Sequence, residues 1–138
     1  MEVAHLEWSA ALATGIDEID EQHRELFRCV ARIRDVTESG IESDATPAIA
    51  FLRDYVGMHF QAEERYMAAR RFPGLERHRE EHALLLEAVV EIENDHRLRG
   101  PSANSLVRLE QFLSDWLRTH IAVTDLAMAR FVRRARRG

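Results

Sequence analysis

Residues 75–98 read LERHREEHALLLEAVVEIENDHRL. Leu75, His78, His82, Leu85, Val89, Ile92 and His96 recur at alternating steps of three and four, the rhythm of one helical face. Pro73-Gly74 breaks the chain before this stretch and Gly100-Pro101 breaks it after. The spacing therefore predicts an amphipathic helix whose inward stripe carries histidines. His78 and His82 are four apart, about 40° of rotation and one turn of rise, so both imidazoles leave the same face. Two imidazoles on one face form a metal-ligand pair, a modest signal alone because such pairs also occur on solvated faces. His-Arg-Glu-Glu-His also fits the H-x-x-E-H pattern of one zinc peptidase class.

The same rhythm extends outward in both directions. Residues 17–38 carry a stripe of Ile19, His23, Leu26, Val30 and Ile33 behind an acidic first turn that complements the helix dipole, and Ser39-Gly40 ends it. Residues 46–71 begin at Thr46-Pro47, a cap followed by a proline, and carry Ile49, Leu52, Val56, His59, Glu63 and Tyr66. Residues 102–120 carry Leu106, Leu109, Leu113, Trp116 and His120. Residues 1–16 form an arm that packs Trp8 against the rest. Residues 121–138 form a short C-terminal helical segment ending in Arg130, Arg133, Arg134, Arg136 and Arg137, a solvated helix end. No strand pattern or repeat is present. The fold class is all-α, an antiparallel up-down-up-down four-helix bundle in a single domain spanning 1–138.

Composition narrows the function classes. The 138 residues are 46% hydrophobic and 31% charged, suited to one globular core. All 19 basic residues are arginine, and 24 acids leave a net charge of −5, which argues against nucleic-acid binding. Cys29 is the only cysteine, so no internal disulfide forms and a reducing compartment fits. No signal peptide and no membrane-length apolar run is visible, so a cytoplasmic protein, without membrane partners and monomeric, is expected.

Bundle connectivity then brings the polar stripe residues together. Tracing the helices up and down places His23, His59, Glu63, His78, His82, His120 and Asp125 at one level near one end. Elsewhere the stripes are apolar apart from His96. A carboxylate such as Glu63 inside an apolar bundle costs several kcal/mol unless paired or metal-bound, and no lysine exists to pair with it. Each histidine alone has an ordinary explanation as a hydrogen-bonded core residue; seven converging groups do not. Seven ligands exceed one tetrahedral zinc and suit two metals bridged by carboxylates, with a donor set compatible with iron. His120 and Asp125 are five apart, roughly 140° around a regular helix, so a break is predicted at 121–124. His5 and His96 are expected at the surface or the bundle end. Glu81 is expected to be a solvated helix residue.

The chain resembles the hemerythrins, in particular the single-domain bacterial ones. The matching residues are Trp8, Gly15-Ile16-Asp17, Ile19-Asp20, Gln22-His23, His59-Phe60, Glu63-Glu64, Met67, Pro73, His78-x3-His82, and Asp115-Trp116-Leu117-x2-His120-Ile121-x3-Asp125. One departure is Leu85, where the family often has phenylalanine. The resemblance implies a centre of two iron ions with an oxo or hydroxo bridge. His78, His82 and His120 would hold a coordinatively full iron, and His23 and His59 an iron with an open position. Glu63 and Asp125 would bridge them. It implies reversible O2 binding for storage, delivery or sensing rather than enzymatic turnover. A redox enzyme on the same site, a peroxidase or nitric-oxide-reducing protein, is the alternative. The O2 pocket is expected to be walled by Phe27, Phe60, Trp116, Leu117 and Ile121.

Overall fold

Five helices follow one another in the computed structural model, which describes residues 7–40, 45–100 and 102–137. A 3-10 turn at Ala10–Leu12 precedes α1 (Asp17–Ser39), α2 (Ala45–Ala69), α3 (Leu75–Arg99) and α4 (Ala103–Thr119). A π-helical turn, His120–Asp125, joins α4 to α5 (Leu126–Arg137). Each bundle helix packs on the next and α1 closes the ring on α4, with the α3–α4 seam the loosest. No strand occurs among the described residues. His5 lies outside them.

Local chemistry fixes the boundaries. The carboxylate of Asp20 reaches back to accept from the backbone N–H of Thr14 at 2.8 Å, its hydroxyl at 2.8 Å and the N–H of Gly15 at 3.2 Å. One buried acid thus ties the arm to α1 while Gly15 takes a left-handed φ of 82°. Trp8 packs on the core from the arm, and the Arg24 guanidinium lies 4.2 Å from its ring centre. Gly40 caps α1 in the left-handed region at φ 77°, donating to the Thr37 carbonyl.

The α2 helix ends at Ala69, two residues earlier than the sequence rhythm suggests. The reason is a capping motif in which Arg71 is left-handed at φ 55°. Phe72 N–H donates to the Met67 carbonyl and Arg71 N–H to that of Ala68. Phe72 and Met67 then meet in the core, the apolar contact such motifs carry. At the other end Thr46 lies inside the first turn of α2 rather than capping it. Its hydroxyl contacts His96 Nε2 at 3.1 Å, so His96 is buried at the bundle end, not at the surface.

Two apolar clusters build the interior. The larger joins all four bundle helices through residues such as Leu26, Ile33, Leu52, Val89 and Leu109. The smaller comprises Ile19, Met67 and Met128, flanked by Ile16, Tyr66, Phe72 and Leu75. A buried side chain of this kind contributes about 1.5–3 kcal/mol relative to exposure. Met128 and Val132 of α5 are buried while Arg130, Arg133 and Arg134 face outward, so α5 is an amphipathic lid packed along one side.

Candidate metal centre

Between the two clusters lies a polar layer. Along α1 it falls at His23, after Ile19 and before Leu26; along α2 at His59 and Glu63, before Met67; along α3 at His78 and His82, after Leu75 and before Leu85. The π-helical turn delivers both His120, where it leaves α4, and Asp125. All seven side chains are at most 3% exposed. The structure thus brings together every residue named as a ligand from sequence. Asp125 faces inward because the turn is wide: Leu126 N–H donates to the carbonyl of Ile121, five residues back. Such hydrogen bonding brings residues five apart into line, which a regular helix cannot do.

The two carboxylates divide their oxygens. Glu63 Oε1 lies 2.6 Å from His78 Nε2 and 3.2 Å from His82 Nε2, while its Oε2 lies 3.1 Å from His59 Nε2 and 3.5 Å from His23 Nε2. Asp125 Oδ1 lies 2.8 Å from His78 Nε2 and 3.2 Å from His120 Nε2, and its Oδ2 lies 3.1 Å from His23 Nε2. One oxygen of each acid therefore faces a three-histidine group and the other a two-histidine group. Within the first group His120 Nε2 is 3.1 Å from His78 Nε2 and 3.2 Å from His82 Nε2. That separation is close to the roughly 3 Å between adjacent ligands around one metal with about 2.1 Å metal–nitrogen distances. Glu63, His78, His82, His120 and Asp125 can share one ion, and His23, His59 and Glu63 another.

The layer's electrostatics call for cations. All four carboxylate oxygens and His23 Nε2 are buried without a hydrogen-bond partner. Among the described residues no arginine is an ion-pair partner of either carboxylate; every such partner is an imidazole. Without metal the histidines must supply the positive charge. Burial opposes protonation of His23, His78 and His120, yet contact with Asp125 and Glu63 outweighs it. Their pKa values rise to about 9, about 9 and about 10. Burial likewise opposes ionisation of Glu63, but the neighbouring His59, His120 and His23 hold its carboxyl well below the usual range. Burial and the Glu63 charge oppose ionisation of Asp125, and His120 and His23 again prevail. A buried donor set of five imidazoles and two carboxylates, with all four carboxylate oxygens free of hydrogen bonds, fits metal ions.

A shell of side chains behind the candidate ligands was not legible from their spacing. His59 Nδ1 meets Gln22 Oε1 at 2.6 Å and His82 Nδ1 meets Glu64 Oε2 at 2.8 Å. Glu81 is only partly solvated, rather than the fully solvated residue its position beside His82 suggests. It accepts from the Thr124 hydroxyl at 3.1 Å, and its Oε1 faces His120 Nδ1 at 3.5 Å. The loose α3–α4 seam gives it room to turn inward.

Of the expected pocket walls, Phe27, Phe60, Leu117 and Ile121 are buried in the larger cluster. Phe60 stacks flat on His82, ring centres 3.8 Å apart, and stands 5.8 Å from His59. Trp116 stacks on His120 at 4.2 Å and lies 6.5 Å from the His82 ring, so it walls the three-histidine group. Trp116, in the last turn of α4, is four positions before His120, which puts both on one face.

Comparison with known proteins agrees with this geometry. The family profile described as the hemerythrin HHE cation binding domain matches residues 14–132. A bacteriohemerythrin of Methylococcus capsulatus is 28% identical over 89% of this chain and 93% of its own length. One from Stenotrophomonas maltophilia is 30% identical over 92% and 81% respectively. A crystal structure of wild-type hemerythrin superposes with a TM-score of 0.83 at 28% identity, covering 91% of this chain and 96% of the other. With the helical bundle and the His/Glu/Asp cluster in hand, the matched span assigns this chain to the hemerythrin family.

Proposed function

We propose that this protein binds O2 reversibly at a centre of two iron ions held by His23, His59, Glu63, His78, His82, His120 and Asp125. The observation that supports this most is the split of Glu63 and Asp125, each offering one oxygen to each histidine group. Glu63 and Asp125 could together serve two ions, with His78, His82 and His120 supplying one of them and only His23 and His59 the other. Ferrous ions held there would supply the reducing equivalents that reversible O2 binding requires.

The protein's own part is to hold, orient and keep dry. Gln22 and Glu64 accept the Nδ1 protons of His59 and His82, fixing the tautomer that leaves Nε2 free to ligate. Phe60 and Trp116 cover imidazole faces, and Leu117 and Ile121 are at most 3% exposed. This apolar lining excludes water and the protons that would otherwise drain the centre to a ferric form.

The test is anaerobic reconstitution with ferrous iron, admission of air, then degassing. The expected outcome is about two irons per chain and a coloured adduct that fades on degassing and returns on aeration. Prompt irreversible bleaching with peroxide release would replace the carrier reading with redox enzymology, and failure to take up iron would end both.

A further inference from the structure

The backing of the imidazoles is lopsided. Behind the three-histidine group stand two carboxylates: Glu64 on His82 Nδ1 at 2.8 Å and Glu81 facing His120 Nδ1 at 3.5 Å. Behind the two-histidine group stands only the neutral amide of Gln22, on His59 Nδ1. Among the described residues no carboxylate lies within ion-pair distance of Nδ1 of either His23 or His59.

The Nε2 atoms point at Glu63 and Asp125, so Nε2 is the ligating nitrogen and Nδ1 must carry the proton. The Nδ1 of His120 is buried with no hydrogen bond of its own, and Glu81 Oε1 is the carboxylate oxygen in front of it. Both oxygens of Glu81 are held by the Thr124 hydroxyl at 3.1 Å, from inside the π-helical turn. Glu64 is held likewise, its other oxygen taking Arg79 Nε at 3.3 Å. Glu81 also borders two surface cavities of about 360 and 290 Å3, so its side chain stays 32% exposed and its charge is partly solvated. A carboxylate wet on one edge can back an imidazole without the full desolvation cost of a buried ion.

We propose that Glu64 and Glu81 are positioning residues that make the three-histidine half of the centre the tighter metal site, so that it fills first and holds its ion while the Gln22-backed half fills second. This rests on the seven-ligand reading. A carboxylate behind a ligating histidine orients the ring and raises its basicity, and removing such a partner typically costs 10–100-fold in metal affinity. An amide acceptor orients the ring equally well but adds no charge, so the two halves differ in binding strength rather than in how well their rings are oriented.

The test is titration of the metal-free protein with Co(II), followed by calorimetry and visible absorption, with no O2 involved. The expected result is two uptake phases, the first tighter. Glu81→Gln and Glu64→Gln should each weaken the first phase by about 10- to 100-fold while leaving the second in place. Gln22→Glu should do the reverse, tightening the second phase, a gain that no merely structural role would give. Equal weakening of both phases, or no change in either, overturns the proposal while leaving the metal centre standing. Absence of Co(II) uptake by the parent overturns both. If Glu81→Gln fails to fold, as read by circular dichroism, Glu64→Gln and Gln22→Glu decide.

Discussion

Glu63 is wholly buried, and its contacts are imidazoles. Substituting Glu63→Ala should therefore strip iron from the reconstituted protein. His96→Ala removes an equally buried histidine whose partner is Thr46, far from the layer, and should leave iron content near that of the parent. Iron-to-protein ratios after gel filtration check this; equal losses would reject the ligand assignment. The raised pKa values of His23, His78 and His120 make a second prediction. A group whose pKa is higher folded than unfolded stabilises the fold fully below its unfolded value, 6.5 here, and that contribution is lost as pH rises through the folded value, about 9 to 10. The metal-free protein should accordingly melt at a lower temperature at pH 9.5 than at pH 6.5. Because metal displaces those protons, the dependence should flatten in the loaded protein. Single residues were unevenly legible in sequence. Glu63 stood out because a carboxylate in an apolar stripe has few explanations. Glu81 did not, since one step from His82 turns it about 100° away and only the opposing Thr124 draws it inward.

At the scale of elements, the bundle was readable because three- and four-residue steps have one meaning over twenty residues. Ends were less so. Arg71 adopts a left-handed conformation that its residue type does not announce, whereas Gly40 announces it plainly. Two glycine substitutions should separate these uses. Gly40→Ala forces a Cβ into the left-handed region at φ 77° and should cost about 1 kcal/mol. Gly57→Ala lies within α2, where a Cβ meets nothing within 4 Å, and should stabilise by about 0.5–1 kcal/mol. Urea unfolding of both variants gives the two signs directly; agreement in sign would contradict this account. The wide turn was foreseeable from spacing alone, because five residues on a regular helix would leave His120 and Asp125 about 140° apart. The smaller apolar cluster was not, since it combines residues from α1, α2 and α5 that no periodicity links.

For the molecule as a whole, the polar residues form a layer with apolar packing on both sides, rather than an open end. Ile19, Met67 and Met128 close the side away from the main core. Met67 is fully buried, and Met67→Ala should cost about 2–5 kcal/mol through the cavity it leaves. It should also shorten the lifetime of the air-formed adduct by admitting water, measured as the rate of bleaching beside the thermal melt. Loss of stability with an unchanged bleaching rate would show that this cluster supports the fold without sealing the centre.

That double closure also sets a clock. With each of the seven proposed ligand side chains at most 3% exposed, an ion held among them would be shielded from a chelator in solution. Exchange must wait for a transient opening of the packing, and openings of this kind are paced by local stability. Ion release should then be independent of chelator concentration once the chelator is in excess. It should accelerate with sub-denaturing urea, so that residence time becomes a property of how often the bundle breathes.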